Sequence, residues 1–120
     1  MKHSVWILTA LLIASGAAAQ SAYDSIAADA ANPFEGKADA ADAGKALFTK
    51  MNCAGCHAYD LTGGMGPDLT DGSWLYGGKP GEIFHTIAAG TPRGMPAWKD
   101  KMTPDEIWQV VTYIQSRKAQ

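Results

Sequence analysis

Cys53-Ala54-Gly55-Cys56-His57 is the stretch on which the reading of this 120-residue chain turns. Two thiols three positions apart, with an imidazole directly after the second, form the C-x-x-C-H arrangement by which haem is attached covalently. Each thiol adds across one porphyrin vinyl group, and the adjacent imidazole coordinates iron. On one helical turn positions 53, 56 and 57 share a face. Two sulfurs then anchor one edge of the ring while His57 comes up beneath the metal. Three other readings compete for the same residues. A thioredoxin-like redox pair needs strands alternating with helices, and no segment here alternates like a strand. A zinc site needs a further ligand, for which only His85 or a carboxylate at no recognisable spacing is left. A chance pentapeptide without a cofactor is the third.

The rest of the chain says why something must fill its middle. The stretch from Ala58 to Lys79 is rich in glycine and poor in aliphatic side chains, and a loop that long needs a reason. Around it three helices are expected. The first runs from about Asp42 to Met51, with Ala43, Leu47 and Met51 on one stripe. The second starts at Pro80, a residue suited to the first helical turn, and stops at Gly90. The last begins with Thr103-Pro104-Asp105-Glu106, a capping box, and continues with Ile107, Val110, Val111 and Ile114 at helical offsets. Three short helices enclosing mostly loop bury too little apolar surface for comfortable stability at this size. A large apolar cofactor supplies what is missing.

Composition narrows the function further. The chain is 47% hydrophobic and 18% charged, which suits one globular domain. A net charge of −2, with the basic residues scattered, excludes a binder of nucleic-acid phosphates. Residues 1–19 read as a secretory signal: Lys2, an uncharged run from Val5 to Ala14, then Ala17-Ala18-Ala19 before Gln20. At that length the run falls short of the roughly 20 apolar residues of a membrane-spanning helix. An uncleaved anchor is the alternative. Residues 20–41 form an alanine-rich acidic leader, expected to be loosely attached and broken at Asn32-Pro33. Residues 42–120 form the functional domain. Export to an oxidising compartment agrees with a use of both thiols other than disulfide formation.

With these motifs in order, residues 42–116 resemble the class I c-type cytochromes, small all-α monohaem proteins with long loops around the cofactor. Gly44 and Phe48 match the glycine and aromatic of that family's first helix, and Tyr113 matches the aromatic of its last. The resemblance implies that the two helices cross near Gly44. It further implies that Pro67, within Gly66-Pro67-Asp68-Leu69, accepts a hydrogen bond from the iron-bound His57, fixing its tautomer. Gly94-Met95-Pro96-Ala97-Trp98 resembles the family's distal methionine loop, which makes Met95 the sixth iron ligand. A soft, neutral thioether favours ferrous iron and raises the reduction potential. His85 as that ligand, or an open sixth position, remains as an alternative. Met51 reads as core packing, and Met65 and Met102 as gap-filling side chains.

Trp74 and Tyr76 lie in Asp71-Gly72-Ser73-Trp74-Leu75-Tyr76-Gly77-Gly78, and each is expected either to line the haem edge or to pack in the core. This segment followed by the Met95 loop resembles two subgroups. One comprises cytochromes that accept electrons from periplasmic quinoprotein (PQQ) alcohol dehydrogenases. The other comprises c-type domains of a haem-copper oxidase subunit. The resemblance therefore implies a periplasmic, monomeric electron-transfer protein rather than an enzyme. It would carry one haem c, with a quinoprotein dehydrogenase as donor and a terminal oxidase as acceptor. Contact with a membrane would come only through partners or an uncleaved signal. A ligand-binding haem sensor or peroxidase is a further alternative. Lys50, Lys79, Lys99 and Lys101 either ring the exposed edge and steer an acidic partner or are simply solvated.

Overall fold

The computed structural model describes residues 20 and 22–118. The reading of residues 1–19 as an export signal lies outside the described residues. Among the described residues the regular structure is helical, without strands. The main elements are α1 (Ala38–Lys50), α2 (Ala54–His57), α3 (Pro80–Ala89) and α4 (Pro104–Ser116). None of the described helices is long and apolar enough to cross a membrane.

The ends of α3 and α4 follow from their sequences. At α4 the Thr103 hydroxyl accepts from the Glu106 amide at 3.2 Å, and the Glu106 carboxylate accepts from the Thr103 amide at 3.1 Å. Proline at the first position needs no intrahelical partner for its nitrogen. At α3 the Glu82 carboxylate likewise accepts from the Lys79 amide at 2.9 Å. Gly90 ends that helix with φ +72°. Helix α1 begins at Ala38, four positions before the expected Asp42. The segment Ala38-Asp39-Ala40-Ala41 is helix-forming, and Asp39 stands in the positively polarised first turn.

Helices α1 and α4 cross at Gly44. A Cβ added there would meet the Gln109 carbonyl oxygen at 2.0 Å, so only the missing side chain permits this approach. Phe48 and Tyr113 then meet edge to face beside the crossing, with ring centroids 5.5 Å apart. The apolar stripe of α4 faces inward: Ile107, Val110, Val111 and Ile114 are all buried, with Phe84 of α3 and Leu61 of the long loop among the fully enclosed side chains. Each such burial stabilises the fold by about 1.5–3 kcal/mol.

The segment expected to be a loose leader is packed down instead. Tyr23 is buried and its hydroxyl donates to the Met102 carbonyl. Asn32, also buried, donates through Nδ2 to Thr112 Oγ1 at 2.9 Å and to Gln115 Oε1 at 2.8 Å. Its Oδ1 accepts from the Phe34 amide, which closes the Asn32-Pro33 turn. Gly81 of α3 lies against the Ala27 and Ala28 carbonyls, where a Cβ would come within 2.6 Å of both oxygens. Few large apolar side chains are needed for this docking because backbone and amide hydrogen bonds carry much of it.

Candidate haem site

Cys53 has helical backbone angles and its carbonyl accepts from the His57 amide at 3.0 Å, so the motif forms one turn, as the spacing predicts. Both thiols are half-buried and unjoined. Burial pushes the Cys53 thiol up to about 11, against a lowering backbone hydrogen bond, while Cys56 adds a further rise. The sulfur is therefore a protonated thiol at neutral pH.

The long loop after α2 folds back tightly onto this turn. The Gly63 amide donates to the His57 carbonyl and the Gly66 amide to the Cys56 carbonyl, both at 2.9 Å. The Leu69 amide donates to the Leu61 carbonyl at 2.8 Å, which closes the first part of the loop beside the buried Leu61 side chain. The non-glycine residues described with positive φ, Asn52, Ala58 and Leu61, all fall around the motif. Each carries a backbone cost of about 1 kcal/mol or more, a concentration of strain of the kind found at functional sites. Asp68 is held below the usual carboxylate range by the hydroxyl and then the amide of Thr70.

His57 is buried, with Nδ1 3.0 Å from the Pro67 carbonyl oxygen. A carbonyl can only accept, so Nδ1 is the donor, and in the neutral ring the lone pair is then on Nε2. The Gly66 backbone lies against the imidazole: a Cβ there would come within 2.7 Å of Cε1.

The segment holding Met95 is built separately, at the end of α3. Thr91, Pro92, Arg93 and Gly94 form a turn closed by the Gly94 amide on the Thr91 carbonyl at 3.2 Å. Trp98 donates its amide to the Ile87 and Ala88 carbonyls, which ties the far end of the loop to the same helix. Met95 and Trp98 are half-buried and pack against the core. Gly90 admits this return, since a Cβ would meet the Met95 carbonyl oxygen at 2.5 Å.

Among the other candidates, Trp74 packs against the core with the Gly78 backbone across its ring. Tyr76 is exposed, and lines an open groove with Ala28, Glu82, His85, Thr86 and Gly90. It is not a core residue. His85 packs edge-on against Phe84, and its Nε2 is bonded to the Ile26 carbonyl, the position of a packing histidine. Met51 and Met102 pack in or against the core, whereas Met65 is 90% exposed and fills no gap. Its neighbours Gly64 and Gly66 turn the backbone toward Cys56 and leave the side chain outside. Lys101 lies over the Trp98 ring at 5.3 Å, while Lys50 and Lys79 are exposed. Among the described residues no three or more His, Cys, Asp or Glu side chains assemble as a metal-binding group, so the zinc reading finds no ligand set. Thr91, which shapes the Met95 loop, was not singled out from the sequence; its signal is Thr91-Pro92-Arg93-Gly94, a turn with proline second and glycine fourth.

A helical fold crossed at Gly44, with two free thiols and a carbonyl-oriented imidazole on one turn, defines a class I c-type cytochrome. Residues 39–114 match the family described as Cytochrome C oxidase, cbb3-type, subunit III, and the chain belongs to it. It is similar to the Cbb3-type cytochrome c oxidase subunit FixP of Rhizobium meliloti, with 39% identity covering 94% of this chain and 42% of that one. The FixP subunit of Sinorhizobium medicae is 44% identical over 64% of this chain and 30% of its own length. The chain thus spans less than half the length of these curated relatives. Among solved structures it resembles cytochrome CL from the marine methylotrophic bacterium Methylophaga aminisulfidivorans. That match has a TM-score of 0.64 and 30% identity, covering 72% of this chain and 58% of the other.

The members of this electron-transfer family bind covalent haem c, and this chain provides for one such group. Its residues fit: two unjoined thiols, an imidazole with Nε2 left to coordinate, and a glycine where any side chain would strike that imidazole.

Proposed function

We propose that this chain is a periplasmic single-electron carrier in which Cys53 and Cys56 attach the haem and His57 and Met95 ligate its iron. The haem supplies a ferric/ferrous couple. The observation that carries the reading is His57 itself, buried on the thiol-bearing turn with Nδ1 held by Pro67. That bond holds the ring in one tautomer and increases its donation to iron. The thioether of Met95 balances this by favouring the ferrous state. Both ligands stand on backbone tied down by hydrogen bonds, so the carrier reorganises little between oxidation states. Trp74, clamped by Gly78, and Tyr76, exposed on the same loop, are the residues assigned to the cofactor's rim.

The donor in this reading is a quinoprotein (PQQ) alcohol dehydrogenase, and the acceptor a terminal oxidase. The Trp74–Gly78 segment followed by the Met95 loop, in its resemblance to cytochromes served by such dehydrogenases, supports the donor. Stopped-flow absorbance of the holoprotein mixed with an alcohol-reduced dehydrogenase, at two salt concentrations, tests it. Rapid reduction that slows with salt supports a steered, dedicated encounter. Slow, salt-insensitive reduction refutes this donor.

A second reading is a haem c subunit or domain of an oxidase complex. It is favoured by the match of residues 39–114 to the oxidase subunit III family. Co-purification with a haem-copper oxidase, and a mature mass that retains residues 1–19, would establish it over the diffusible carrier.

A further inference from the structure

Three hydrogen bonds join Thr91 to the residues around Met95. The Thr91 amide donates to the Met95 carbonyl at 3.0 Å, and the Gly94 amide donates to the Thr91 carbonyl at 3.2 Å. In the third, the Met95 amide donates to the Thr91 hydroxyl oxygen at 3.4 Å. The first two use only main-chain atoms and survive a change of side chain. The third depends on an oxygen at the γ position. Thr91 and Met95 are both half-buried, so loss of that oxygen leaves the Met95 amide poorly supplied with partners. Pro92 and Gly94, the latter at φ +112°, set the turn but bear no acceptor toward Met95. Among the side chains of this loop, the Thr91 hydroxyl is the one that accepts from the Met95 backbone.

We propose that Thr91 is a positioning residue for the Met95 thioether. Its hydroxyl keeps the residue 95 backbone closed, and so holds the sulfur on iron against competing ligands. The proposal rests on Met95 being the sixth ligand. A ligand carried on a loop yields to an external one in proportion to how often the loop opens. Removing one net hydrogen bond from the closed state raises that open population about fivefold.

The test is an absorbance titration of the ferric holoprotein with imidazole, for the wild type and for Thr91→Val, Thr91→Ser and Met95→Ala. Thr91→Val is expected to bind imidazole about fivefold more tightly and to lose part of its sulfur-to-iron charge-transfer absorbance. Thr91→Ser, which keeps the acceptor, is expected to behave as the wild type, and Met95→Ala to bind most tightly. If Met95→Ala binds tightly but Thr91→Val matches the wild type, the ligand reading stands and the role of Thr91 is refuted. A Thr91→Ser variant as weakened as Thr91→Val refutes it too, because the methyl group would then be what matters. If Met95→Ala leaves affinity and spectrum unchanged, the ligand reading fails and the proposal with it. Should Thr91→Val not mature, Thr91→Ala makes the same comparison with Thr91→Ser.

Discussion

His57 Nδ1 lies 3.0 Å from the carbonyl oxygen of Pro67, ten residues further along the chain. Proline has no amide hydrogen, and its fixed φ narrows the directions its carbonyl can take. The bond joins the thiol-bearing turn to the loop that closes over it, and thereby couples the orientation of His57 to the loop's own folding.

Gly66 is the point at which that coupling is most easily damaged. A Cβ at this position would come within 2.7 Å of the His57 ring. Gly66→Ala should therefore tilt the imidazole, destabilise the holoprotein by about 1–3 kcal/mol and shift its reduction potential. Denaturant unfolding together with spectroelectrochemistry checks both. An unchanged potential would show that the ring tolerates the displacement.

At the other contact between segments, Gly44→Ala forces a methyl group toward the Gln109 carbonyl oxygen. The expected loss is about 3 kcal/mol, at the upper end for an overpacked core because the obstacle is backbone. Thermal unfolding of the holoprotein measures it. A loss under about 0.5 kcal/mol, ordinary for a surface substitution, would mean that α1 and α4 separate freely.

Both helix starts at proline, the Gly44 crossing and the helical turn at Cys53–His57 were legible in the sequence. Each rests on interactions within a few residues or on a glycine that marks a close approach. The packing of residues 22–37 was not legible. It depends on Asn32 meeting Thr112 and Gln115 some 80 positions away, and on backbone carbonyls at Ala27 and Ala28 lying where only Gly81, with no Cβ, can approach. Alanine-rich composition reads the same whether such a segment is docked or free. Met65 was misread for a related reason: a methionine in a loop carries no periodicity to show which way it faces.

Asn32→Ala should release that segment. The buried Thr112 hydroxyl still donates to the Trp108 carbonyl but loses the donor aimed at it, and the stability lost is about 1–3 kcal/mol. Hydrogen exchange should rise across residues 22–37 and stay protected in α4. Protection left intact in both would show that Asn32 is not the tether.

Tyr23 gives a pH dependence with a definite sign. Burial, then the charges of Asp100 and Glu106, raise its pKa above the ordinary 10.0. A raised folded-state value means that its stabilisation is complete below the unfolded pKa and is lost as pH rises through the folded one. Tyr23→Phe, which removes the donor to Met102, should cost about 1 kcal/mol at pH 7. The difference from wild type should shrink above about pH 10. Unfolding curves at both pH values decide it, and a gap that widens with pH would refute the assignment.

The most direct test of the central claim is the reduction potential of Met95→Ala beside that of the wild type, read by spectroelectrochemistry of the matured holoprotein. With His57 and Met95 as the ligands, removing the thioether withdraws the group that favours ferrous iron. The potential should fall, and the ferric spectrum should change as the sixth position opens. The same potential and spectrum in both proteins would contradict the account.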